Sequence, residues 1–132
     1  MNEVKDLLWR CVQPLLRDFA ERIAASDSAV SYSVGHTSSN AFLIRGYASL
    51  RKAAVDDEIA VTVDAVFEDG EIALSADACM DDGEVLADGP EATIPSAAML
   101  SSSGTPLAEW LGRFEDFLAS IEAEVNKRVA AL

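Results

Sequence analysis

The stretch IAVTVDAVFEDGEIALSADACM, residues 59–80, decides the fold. Asp69-Gly70 sits at its centre, and Asp-Gly favours a two-residue hairpin turn because both central positions need positive φ. Counting outward from that turn places Phe67 opposite Ile72, Ala65 opposite Leu74, Val63 opposite Ala76, Val61 opposite Ala78 and Ile59 opposite Met80. Every pair joins apolar to apolar on one sheet face, an agreement that a slip of one residue would destroy. A second Asp-Gly, at Asp82-Gly83, predicts another turn, with Met80 facing Val85 and Ala78 facing Ala87. The reading is a three-stranded meander from about Glu58 to Thr93.

Upstream, Val30, Tyr32 and Val34 alternate with serines. After the turn-like Gly35 to Asn40, Phe42, Ile44, Ala48 and Leu50 alternate with Leu43, Arg45, Tyr47 and Ser49, which predicts a first hairpin. Outside the strands the apolar period lengthens. Val4, Leu7, Leu8, Cys11, Leu15, Phe19 and Ile23 recur at helical spacing, with Pro14 predicting a kink or a helix start near Gln13. Thr105-Pro106 supplies a start signal, and Leu107, Trp110, Leu111, Phe114, Phe117, Leu118, Ile121, Val125, Val129 and Leu132 then trace a stripe to the chain end. Ile94 to Gly104 has no usable period and reads as a loop.

These elements predict one α+β domain over residues 1–132: an N-terminal helix, an antiparallel meander of about five strands, and a long C-terminal helix, both helices on one sheet face. The length of 132 residues suits one core, and half the residues are hydrophobic, which excludes disorder. Charges at Glu3, Lys5, Asp6 and Arg10 interrupt any signal-like core, and no apolar run is long enough to span a membrane. A cytoplasmic protein without a membrane partner is expected. Cys11 and Cys79 read as buried thiols.

Charge carries the functional expectation. Between Ala53 and Gly112 there are fourteen Asp and Glu residues and no Lys or Arg, so the formal charge of −13 originates there. Such a surface repels phosphate backbones, which excludes nucleic acid as a partner. On the face away from the helices the register displays Ala60, Thr62, Asp64 and Val66, then Ala73, Ser75, Asp77 and Cys79, then Leu86 and Asp88. Asp77 falls opposite Asp88, and like charges across a strand pair are destabilising. Asp64, Asp77 and Asp88 are therefore the expected docking residues for a basic protein; the alternative is a solvated face with Arg45 or Arg51 leaning across.

No catalytic motif, glycine-rich phosphate loop or zinc set is present. Asp81-Asp82-Gly83-Glu84 lacks the spacing of a calcium loop. No metal or cofactor is expected, and His36, in a polar turn, lacks the third group of a nucleophile–base arrangement. The reading is a non-enzymatic interaction module, like an inhibitor that neutralises a basic toxin or a chaperone that holds an effector. In size, acidity and terminal-helix layout the chain loosely resembles type III secretion chaperones, without the helix they place in mid-sheet, and no residue role is carried over. The alternative is a small-molecule binder or enzyme, with a pocket between helices and sheet using Tyr32, His36, Arg45 and Tyr47. A homodimer is expected from two open strand edges and the outward Ala60, Val66, Ala73 and Leu86.

Overall fold

The computed structural model describes residues 2–40, 43–52, 57–99 and 105–132. The expected inward Phe42 and the part of the predicted loop at 100–104 lie outside them. Helix α1 (Asn2–Ser26) continues through Pro14 rather than starting near Gln13. Pro14 is exposed, so the carbonyl it leaves without a partner, four residues back at exposed Arg10, is on the side that water reaches. The buried stripe is Val4, Leu8, Val12, Leu16, Phe19, Ala20 and Ile23. It advances mainly by fours, so Leu7, Cys11 and Leu15 are displaced to a half-buried flank while Val12 and Leu16 take the centre.

The sheet runs β1 (Val30–Asn40), β2 (Leu43–Lys52), β3 (Glu58–Glu68), β4 (Glu71–Met80), β5 (Val85–Asp88) in meander order, all antiparallel. All five apolar pairs expected between β3 and β4 are present. Asp69 and Gly70 both have positive φ, 52° and 76°, as a two-residue turn of this kind requires.

The second turn differs. Gly83 N–H donates to Met80 O at 3.0 Å, Met80 N–H donates to Glu84 O at 2.8 Å, and Gly83 alone of the loop has positive φ, 90°. The loop is therefore three residues, Asp81 to Gly83, and Cys79 rather than Met80 faces Val85. A bulge then follows, restoring Ala78 opposite Ala87 and Asp77 opposite Asp88. It also exchanges two side chains relative to expectation: Leu86 packs on the core and Val85 is outward, 52% exposed.

Two further corrections concern segments without a strong apolar period. Gly35 to Asn40 is strand, the second half of β1, with His36 opposite Gly46 rather than in a turn. Ala92–Pro95 forms β6, paired with β4 at Ile72–Ile94, followed by a short helix α2 (Ser96–Met99) where a loop was expected. Since β5 pairs with β4 at Asp77 to Cys79 and β6 pairs at Glu71 to Leu74, the two lie end to end along one edge, interrupted at Gly89-Pro90-Glu91. Gly89 N–H donates to Ala76 O at 2.7 Å, and the break is held from behind by α3 (Thr105–Ala130), whose Trp110 indole donates to Pro90 O at 3.1 Å.

Helix α1 packs on β1 and β2, and α3 packs on β2, β3 and β6 while lying beside α1. Leu107, Trp110, Phe114, Leu118, Ile121, Val125 and Val129 form the buried stripe of α3. They join the α1 stripe and the inward strand residues in one apolar cluster. Arg22 on α1 pairs with Glu122 on α3 at 2.7 Å, and Lys52 at the end of β2 donates to Ala130 O at 2.8 Å. No charged side chain is buried among the described residues, so the charges available for function face the solvent.

Candidate functional site

With both helices on one face, the other sheet face is a lattice of outward side chains set by register. One row across the strands reads Thr37, Arg45, Asp64, Ser75; the next reads Gly35, Tyr47, Thr62, Asp77, Asp88; a third reads Ser33, Ser49, Ala60, Cys79, Val85. The three expected docking carboxylates all lie on this face, and their situations differ.

Asp64 is neutralised within the sheet. Arg45, directly opposite on β2, donates through Nε to Oδ1 at 2.6 Å and through its second terminal nitrogen to Oδ2 at 2.9 Å. This two-pronged geometry suits a guanidinium and carboxylate, and the hydrogen bond to Asp64 holds Arg45 above its usual value, firmly charged. Among the described residues the donors to Asp77 are neutral: Thr62 Oγ1 at 2.6 Å and the Cys79 thiol at 3.3 Å, both to Oδ1. Asp88 is exposed and stands across from Asp77. Among the described residues no ion pair reaches either carboxylate.

A second internal pair lies in the row beyond. Glu58 on β3 accepts from Ser49 Oγ and from Arg51 Nε, the latter at 2.9 Å, and its carboxyl is lowered from the usual range mainly by the Ser49 hydrogen bond, with Arg51 contributing. Charge on the outer face is therefore graded. Arg45 and Arg51 on β2 are both paired with β3 carboxylates, whereas among the described residues no ion pair reaches Glu71, Asp77 or Asp88 on β4 and β5, and Arg45 acts on Asp77 only through its charge. The sequence could not reveal the Glu58 cluster, because the register of β2 on β3 depends on the connection at 53–57, which carries no turn signature.

Cys79 is half-buried on the same face, and its thiol is pushed up to about 11, first by burial and then by the hydrogen bond and charge of Asp77. A thiol in that state is a donor and not a nucleophile at neutral pH. No group of three or more His, Cys, Asp or Glu side chains that could hold a metal ion is found among the described residues.

The four residues of the alternative site are divided between the two faces. Tyr32 and His36 are on the helix side of β1, where Tyr32 donates to Glu21 at 3.1 Å and the His36 ring lies 4.6 Å from Trp9. Arg45 and Tyr47 are on the outer side. Tyr47 lies over its cross-strand partner Gly35, where a Cβ would meet the phenol oxygen at 2.8 Å. Between α1 and the sheet, under Trp9, an apolar cavity of about 20 Å³ is lined by Leu8, Val12, Ile44, Gly46 and Val63 among others. That is room for about one water, in a lining that offers water little to bond.

The chain matches no protein-family model, no curated protein and no solved structure. No helix among the described residues is long and apolar enough to cross a membrane.

Proposed function

We propose that the protein is a non-enzymatic interaction module that docks a basic protein on the acidic half of its outer sheet face, over β4 and β5. The observation that carries this reading is the cross-strand pair Asp77 and Asp88, two carboxylates held opposite each other and, among the described residues, joined by no ion pair, with Arg45 reaching Asp77 only through the field of a guanidinium bound to Asp64. Arg45 and Arg51 are already committed to Asp64 and Glu58, so a partner's Lys or Arg would supply the missing countercharge. Asp64 is accordingly a neighbour of the docking surface and Asp77 and Asp88 its centre. A partner that is itself harmful or poorly soluble when free, held by such a surface, gives the inhibitor-like or chaperone-like role, exercised in the cytoplasm.

The reading is tested with Asp77→Asn together with Asp88→Asn. Pull-downs from the source cell, using wild type and this double variant at low and high salt, identify proteins whose capture depends on the two carboxylates. The expected result is a strongly basic protein retained by wild type at low salt, lost in the double variant, and associating more slowly as salt shortens the screening length to about 8 Å near physiological strength. Capture that is equal for both proteins and insensitive to salt removes the acidic face as the functional surface.

A further inference from the structure

The two edges of the sheet are built in opposite ways. The β5–β6 edge carries the devices that prevent one sheet from pairing with another: two strands of four residues each, a bulge, the break at Gly89-Pro90, and the charges of Asp88 and Glu91. Strand β1 has none of them from Val30 to Thr37, and its register on β2 shifts only beyond, between Thr37 and Asn40. Its eleven residues, VSYSVGHTSSN, include no charge and no proline, and its pairing with β2 is unbroken from Val30 to Thr37. Along that length alternate residues direct their N–H and C=O groups away from β2, where another strand would satisfy them.

We propose that β1 is the pairing edge for a second copy of this chain, the two β1 strands running antiparallel about a twofold axis to form one continuous sheet. This goes beyond the acidic docking face and does not depend on it. Electrostatics selects the occupant and the edge. Residues 1–52 hold seven basic and five acidic groups, so the part of the molecule around β1 and β2 is slightly cationic although the chain as a whole is −13. Joining at β1 sets the first acidic strand, β3, five strand spacings from its counterpart, about 24 Å at ~4.8 Å per spacing. That is about three screening lengths at physiological salt. Joining at β5 would bring the Asp88 rows to within one spacing, about 5 Å. Tyr32, 36% exposed on the helix side of β1, provides an apolar contact along the seam.

The test is sedimentation of the full chain across a concentration series, for wild type, for Tyr32→Lys with Ser33→Lys, and for Thr93→Lys on β6 as a control at the opposite edge. Tyr32 and Ser33 are both exposed, one toward each face of the β1 edge. Wild type and the control are expected to reach twice 14.1 kDa and stop, and the double-lysine variant to remain at 14.1 kDa with an unchanged circular dichroism spectrum. Amide exchange of wild type is expected to slow at residues 31–37 as concentration rises. If the double variant loses its native spectrum, that exchange measurement decides. A wild type that is monomeric at every concentration, a dimer that survives the two lysines, growth past two copies, or exchange at 31–37 that ignores concentration would each overturn the proposal.

Discussion

Trp110, fully buried on α3, donates its indole N–H to the carbonyl of Pro90 at 3.1 Å, joining the C-terminal helix to the point where the edge strand is broken. The ring also stacks on Phe114, with centroids 5.2 Å apart. Replacing Trp110 with Phe keeps an aromatic ring, removes the donor and leaves a small void. The expected loss is about 2–4 kcal/mol, from an unpartnered carbonyl plus lost packing. Denaturant melts that show less than about 0.5 kcal/mol would mean that this hydrogen bond does not hold the break.

Two glycines should respond to alanine with opposite signs. A Cβ at Gly89 would lie 2.8 Å from the backbone oxygen of Ala76, so either β4 or the break must shift, at a cost of about 1–3 kcal/mol. Gly112 is exposed within α3 and a Cβ there meets nothing within 4 Å. Gly112→Ala should stabilise by about 0.5–1 kcal/mol through helix propensity. The midpoints of thermal melts compare the two, and movement of both variants in the same direction would contradict the assignment.

Glu58 sets an acid dependence. Its carboxyl is held low in the folded protein by Ser49 and Arg51, so its contribution is complete above the unfolded carboxyl value of about 4.3 and is lost as pH falls through the lower folded value. Glu58→Gln should therefore flatten the decline in stability below about pH 4. An acid limb of unchanged slope in the variant would assign the dependence to other carboxylates.

Cys79 should be slow to react. With its thiol at about 11 against an ordinary ~8.5, a Cys11→Ser background should show Cys79 alkylating at least about tenfold more slowly in the native protein than in denaturant at mildly alkaline pH. Asp77→Asn should speed the native reaction by removing the neighbouring charge. The same raised value means that stability falls as pH rises from about 9 toward 11, since the unfolded thiol ionises first. Equal labelling rates in the native and denatured protein would refute this.

How far the sequence could be read depended on how strongly each segment constrained its own register. The β3–β4 pairing was legible because Asp69-Gly70 fixes the count and five apolar pairs check it. Asp82-Gly83 was ambiguous, since the same dipeptide also serves a three-residue loop in which only Gly83 needs positive φ. The opposition of Asp77 and Asp88 was nevertheless anticipated, because the longer loop and the bulge offset each other. His36 and its neighbours escaped because a polar edge strand lacks the alternation that marks a half-buried one, and its partner Gly46 gives no apolar signal. That glycine has a structural reason: Trp9 lies against it, and a Cβ there would be 3.0 Å from the indole ring. The pairing of Arg45 with Asp64 was legible only as one of two options, since the sequence placed Asp64 on the outer face without fixing which β2 residue stands beside it.

The interruption at Gly89-Pro90 limits how many neighbours a molecule can take. A sheet open at both edges is divalent and can add copies without end, as fibrils do. One whose second edge is cut into two four-residue pieces, with Asp88 and Glu91 at the cut, would have a valence of one in the pairing proposed above: after a single strand-to-strand union no pairing site would remain, and polymerisation would stop with the first bond.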